Sequence, residues 1–168
     1  MKRLLLALPI LLAACAAPPP PAAQPVSTTL RPFPKTDQFL QCVPFARQVS
    51  GVEIFGDAWT WWDKAEGRYE RGREPRPGAV LVFKKTKQLA LGHVAVVVSV
   101  TGPRSILVTH ANWGSNERTR GVVHERQPVT DVSPANDWSQ LRLMTVGGEM
   151  GKVYESWGFI YPPTQPST

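Results

Sequence analysis

The chain has 168 residues, 42% of them hydrophobic and 19% charged, with two cysteines and a formal net charge of +6. That describes one domain of ordinary size, with apolar material for a packed core and too little charge for a disordered polymer. The longest apolar stretch, residues 4–14, is too short to span a bilayer as a helix, and length and composition together exclude a multidomain enzyme, a polytopic membrane protein, a disulfide scaffold and a long coiled coil.

Lys2 and Arg3 precede that stretch and Cys15 follows it. A basic start, a short apolar core and small residues before a cut are the signature of an export signal. Leu12-Ala13-Ala14-Cys15 resembles a bacterial lipobox. The resemblance implies that residues 1–14 are removed and Cys15 is acylated, anchoring the chain to a membrane through its N-terminal lipid. Alanine at positions 16 and 17, where aspartate would retain a lipoprotein in the inner membrane, implies an outer-membrane lipoprotein facing the periplasm. An ordinary signal peptide cut nearby is the alternative. Residues 15–34 carry the proline run Pro18 to Pro21 with Pro25, Pro32 and Pro34. Proline fixes φ and donates no backbone hydrogen bond, so this segment reads as an extended tether, and the globular domain spans residues 35–168.

Without Lys2 and Arg3 the balance is 17 basic to 13 acidic side chains, a mild surplus that suits anionic envelope polymers. No dense basic run occurs, which argues against nucleic-acid binding. There are no internal repeats. If Cys15 carries lipid, Cys42 is the single thiol of an exported body, and an unpaired thiol there is either a reactive group or a small buried hydrophobe.

Pro44, tolerated in a first helical turn, places a helix start at Cys42 or Val43, with Thr36 and Asp37 as possible caps, apolar residues at Phe45, Val49 and Val52, and Gly51 as the stop. Cys42 at a helix N-terminus would have its thiolate favoured and its pKa lowered. A second short helix is expected from Asp57 as cap to Gly67, with Trp59 and Trp62 on its core face. Strands follow: residues 79–83, 93–100, 105–112, 121–127 and 141–146, with Gly102-Pro103 as a tight turn and residues 157–161 closing the sheet. Helices first and an antiparallel sheet afterwards give an α+β class, with N-terminal helices packed on a small antiparallel β-sheet.

A cysteine nucleophile needs a base and a group that orients the base. His93 begins the strongest strand. His110 and Asn112 are two apart on the next, so alternation puts both side chains on one face, and the hairpin about Gly102-Pro103 brings them alongside His93. Each residue taken alone also has an ordinary structural reading, as a surface histidine or a turn asparagine. His124, beside Glu125 and Arg126, reads as solvated. No metal-binding spacing is present.

Gln41-Cys42, Pro77-Gly78-Ala79-Val80, Gly92-His93-Val94-Ala95-Val96-Val97, His110-Ala111-Asn112-Trp113 and Gly158-Phe159-Ile160 resemble, in order, the motifs of the CHAP domain family, the cysteine- and histidine-dependent amidohydrolases and peptidases of bacterial cell walls. The resemblance spans roughly residues 38–163. It implies a papain-like fold, Cys42 as nucleophile, His93 as general base, Asn112 at the orienting position, and Gln41 with the Cys42 backbone N–H as oxyanion donors. His110 stands where the family often has an acid, so either it or Asn112 orients His93. The implied activity is hydrolysis of an amide of peptidoglycan, by an endopeptidase or an N-acetylmuramoyl-L-alanine amidase, with no metal or organic cofactor. Trp113 is a candidate for the substrate groove, and an activator or regulator protein stays unassigned. The rival reading is a catalytically silent peptidoglycan-binding or regulatory lipoprotein.

Overall fold

The computed structural model describes residues 30–32, 38–114 and 116–163. The expected signal peptide, the acylated Cys15 and nearly all of the tether lie outside them. Helix α1 spans Cys42–Ser50. A 3-10 turn at Ala58–Thr60 leads into α2, Trp61–Lys64, and seven strands follow: β1 Arg71–Gly72, β2 Val80–Phe83, β3 His93–Gly102, β4 Ser105–Ala111, β5 Val123–Asp131, β6 Gln140–Met144 and β7 Met150–Ile160.

Expectation and structure part company on the fold class. The α+β arrangement, papain-like helices on a small open sheet, is overturned: β2 to β7 pair antiparallel in the order β7-β2-β3-β4-β5-β6, and β6 pairs with β7 again. The result is a closed six-stranded antiparallel barrel with two short α-helices among the described residues. Closure is the work of β7. Its first half, from Met150 to Glu155, pairs with β6, and its second half, from Ser156 to Ile160, pairs with β2. An eleven-residue strand is long enough to serve two neighbours in succession, and a sheet closed this way leaves few exposed edges.

Alternation along the strands sorts the apolar residues into two sets. One set, with members from all six barrel strands and none from a helix, fills the interior; it includes Leu81, Phe83, Ala95, Val97, Ile106, Val108, Val129, Leu141 and Phe159. The other joins Val80, Val82, Val94, Val96 and Ile160 on the outer face to Phe45, Ala46 and Val49 of α1. Burying Phe45 and Val49 contributes about 1.5–3 kcal/mol each. The helix is therefore pinned to the outside of β3.

Helix α1 begins and ends where Pro44 and Gly51 predict, with Gly51 left-handed at φ 76° and its N–H bonded to Arg47 O. Its N-cap is Gln41, not Thr36 or Asp37, and no side chain caps it. The second helix is broken. Because Ala58–Thr60 is 3-10, the phase of the turn shifts and Trp61 is the buried tryptophan, whereas Trp59 is 37% exposed and Trp62 partly buried. The expected core face of Trp59 and Trp62 does not form.

Candidate active site

His93 opens β3 and His110 nears the end of β4. Each alternates with inward-facing residues, His93 with Ala95 and Val97, His110 with Ile106 and Val108, so both rings enter the end of the barrel. They are 3% and 0% exposed. The hairpin about Gly102-Pro103 brings them together as its geometry predicts: His93 Nε2 lies 2.7 Å from His110 Nδ1. The far nitrogen of His110, Nε2, is hydrogen-bonded to Oε1 of Gln127 on β5, and Gln127 Nε2 donates to Met144 O at 2.5 Å. Phe83, Trp113 and Tyr154 enclose the pair, with the Trp113 ring 4.7 Å from His93 and 5.5 Å from His110 between centroids.

This enclosure sets the electrostatics. Burial, then the neighbouring His110 and His124, holds the His93 pKa well below the ordinary imidazole value. Burial lowers that of His110 to about 4, against the opposing pull of the Gln127 hydrogen bond. Both rings are neutral at pH 7. His124 is partly buried rather than solvated, bonded through Nε2 to Thr119 O and 5.4 Å from the His110 ring.

Cys42 reaches the same region from the outer face. Its sulfur accepts from the backbone N–H groups of Val94, Val43 and Cys42 itself, and Val94 is the residue after His93. The expected lowering of the thiol pKa is not what the structure gives. Burial pushes the Cys42 thiol above its ordinary value, and those three N–H groups offset that only in part. The side chain is partly buried against the α1 core, and that desolvation outweighs the helix start.

Asn112 takes a different place from the one alternation predicts. β4 ends at Ala111, and Asn112 turns to φ 60°, so the two-residue period stops before it. Its Nδ2 donates to Gln41 Oε1 at 2.8 Å and its Oδ1 accepts from Gly121 N–H at 3.0 Å. Asn112 thus ties the residue capping α1 to the β4–β5 loop, while His93 Nε2 is hydrogen-bonded to His110. The bond from Asn112 occupies Gln41 Oε1 and leaves Nε2 as the donor of that exposed amide. Trp113 packs its ring against both histidines.

Gln127 escaped the sequence reading, and Trp59 was assigned to the core in preference to the site. Gln127 is a polar residue at an inward position, in register with Val108 and two before inward-facing Val129, and that pattern was the available signal. Trp59 sits beside the site: its N–H donates to Leu91 O at 3.1 Å, and a Cβ on Gly92 would come within 2.6 Å of Trp59 N. Glycine at position 92, at φ 69°, lets the tryptophan loop approach the residue before His93.

The comparison with known families decides the resemblance, for the CHAP domain model matches residues 34–112. Over that span the chain is similar to the CHAP domain family. The match takes in Gln41, Cys42, His93, His110 and Asn112, and stops before Trp113, Gln127 and the Gly158-Phe159-Ile160 motif. CHAP domains are generally hydrolases of the peptidoglycan amidase or peptidase type. No curated protein matches the chain.

Proposed function

We propose that this CHAP-like domain hydrolyses an amide of the cell-wall peptide through a thioester on Cys42, as an endopeptidase or an N-acetylmuramoyl-L-alanine amidase. The observation that carries the reading is a helix-start thiol bonded to the backbone N–H of Val94, the residue after His93, with His93 Nε2 engaged by His110.

With both groups neutral at rest, His93 acts as a general base. Its Nδ1, the nitrogen not bonded to His110, takes the Cys42 proton as sulfur attacks the carbonyl. The imidazolium so formed keeps Nε2–H on His110 Nδ1. A neutral imidazole supports that charge less than a carboxylate would, but it stays a hydrogen-bond acceptor through the working pH range because burial holds its own pKa to about 4. The Cys42 backbone N–H and Gln41 Nε2 stabilise the oxyanion. His93 then protonates the departing amine, and water activated by the same ring releases the acyl product. Trp113, against the histidines, and the exposed Trp59 and Leu91 beside Gly92 are the apolar groups available to the substrate.

The chain acts from an acylated Cys15 on the outer membrane's periplasmic side, with peptidoglycan as its partner. The second reading, a catalytically silent peptidoglycan-binding or regulatory lipoprotein, draws on the raised thiol and depressed imidazole, which make the resting nucleophile weak. Intact-protein mass spectrometry after mixing with a stem-peptide amide separates them. An acyl adduct on wild type, absent from Cys42→Ala, is expected; no adduct between pH 6 and 9 selects the silent module.

A further inference from the structure

The His93–His110 contact has two possible proton arrangements, and only one leaves His93 Nδ1 free to receive the thiol proton. Which one holds can be worked out from the far end of the chain of contacts. Met144 O is a backbone carbonyl and can only accept, so the Gln127 atom 2.5 Å from it is the amide nitrogen. Gln127 therefore turns its carbonyl oxygen to His110, and an oxygen acceptor there requires a proton on His110 Nε2. A neutral His110 then has its lone pair on Nδ1 and must accept from His93 Nε2–H. His93 Nδ1 is left unprotonated.

We propose that Gln127 is a positioning residue for the reaction proposed above, fixing through His110 the tautomer in which His93 can act as a base, with the Met144 carbonyl as the fixed origin of the relay. The four groups come from β3, β4, β5 and β6, four strands that are successive neighbours in the sheet, so their pairing is what assembles the relay. The relay also explains why a histidine works where a carboxylate is common: the family acid accepts in either orientation, whereas an imidazole must be told which nitrogen carries its proton. Gln127 lies beyond the span that matches the family model.

Removing the Gln127 amide reverses the pattern. His110 Nε2–H would lack an acceptor in a buried site, so its proton moves to Nδ1 and is donated to His93 Nε2. The His93 proton then sits on Nδ1, where it blocks uptake from Cys42. The titratable groups facing His110 are His93 from β3 and His124 from β5, with Tyr154 of β7 behind Trp113 and Cys42 of α1 against Val94.

Histidine-selective 15N labelling of the full chain, read by long-range proton–nitrogen correlation at pH 7, reports each tautomer directly. The expected wild-type result is Nε2–H for both His93 and His110; His110 protonated on Nδ1 overturns the proposal with no mutation needed. Gln127→Leu is expected to switch both rings to Nδ1–H and, where substrate turnover is measured, to lower kcat at least about tenfold at constant KM, in line with the cost of one buried unpaired donor. Gln127→Glu, whose carboxylate still accepts from His110, is expected to keep the wild-type tautomers while moving the acid limb of the pH profile upward. Unchanged ring signals in Gln127→Leu, or reversed ones in Gln127→Glu, refute it. The spectra need no substrate: a chain inert on wall peptides but with the predicted tautomers would keep this inference and lose the hydrolase reading.

Discussion

Whether Asn112 or His110 orients His93 can be settled by substituting Asn112 twice. Its amide makes two hydrogen bonds, to Gln41 Oε1 and from Gly121 N–H, and its backbone is left-handed at φ 60°. Losing both bonds costs about 2 kcal/mol, at roughly 1 kcal/mol each. Alanine adds about 1 kcal/mol for the left-handed backbone, which glycine avoids. Asn112→Ala should therefore lose about 3 kcal/mol and Asn112→Gly about 2. For a domain of this size, at about 4 °C per kcal/mol, the falls in Tm are roughly 12 °C and 8 °C. Thermal unfolding by circular dichroism gives these numbers, and the pH dependence of Cys42 alkylation by iodoacetamide reports on the thiol and its base. The ordering wild type, glycine, alanine in Tm is expected, with an unchanged alkylation midpoint, since His93 stays on His110. A Tm within about 2 °C of wild type together with a displaced midpoint would falsify the assignment of Asn112 to the loop and restore it as the orienting residue.

The wild-type alkylation curve is itself informative. Because burial raises the Cys42 pKa, its midpoint should lie above that of free cysteine measured in parallel, and a midpoint below it would show a preformed thiolate. Acid should destabilise the fold. His110 is held at about 4 when folded and returns to about 6.5 when unfolded, so the unfolded chain binds the extra proton and stability falls as pH drops from 6.5 towards 4. Urea midpoints across that range check this, and a flat profile, or one rising toward acid, contradicts the buried neutral pair. In Gly92→Ala the new Cβ meets Trp59 N at 2.6 Å in a left-handed backbone, so the Trp59 loop must move. A loss of 2 kcal/mol or more is expected, and a variant as stable as wild type argues against the close approach.

Local signals made much of the molecule legible. Pro44 and Gly51 bracket α1, and the β-branched run after His93 together with Gly102-Pro103 gives the hairpin that unites His93 with His110. Long-range pairing was not legible. That residues 157–160 end a strand reaching back to Met150 and pairing with β6 depends on contacts between distant segments, and an open sheet and a closed barrel share the same alternation. Asn112 left the strand because its backbone turned left-handed, which asparagine tolerates and a two-residue period does not register. The Cys42 pKa went the other way because a helix start favours a thiolate only while it stays solvated, and packing against Val94 and the α1 core removes that solvent. Gln127 was visible only as a polar residue in an inward phase, and its meaning required knowing that β4 and β5 pair.

The proposed reaction makes Cys42 the nucleophile of a wall hydrolase. The most direct measurement incubates the purified full chain, and Cys42→Ala beside it, with peptidoglycan sacculi under reducing conditions from pH 5 to 9, and identifies soluble fragments by mass spectrometry. Fragments made by wild type and absent from the variant are predicted, with new termini that name the bond cut. Equal release by both proteins, or none by either, would contradict the claim and leave the silent binding module as the better account.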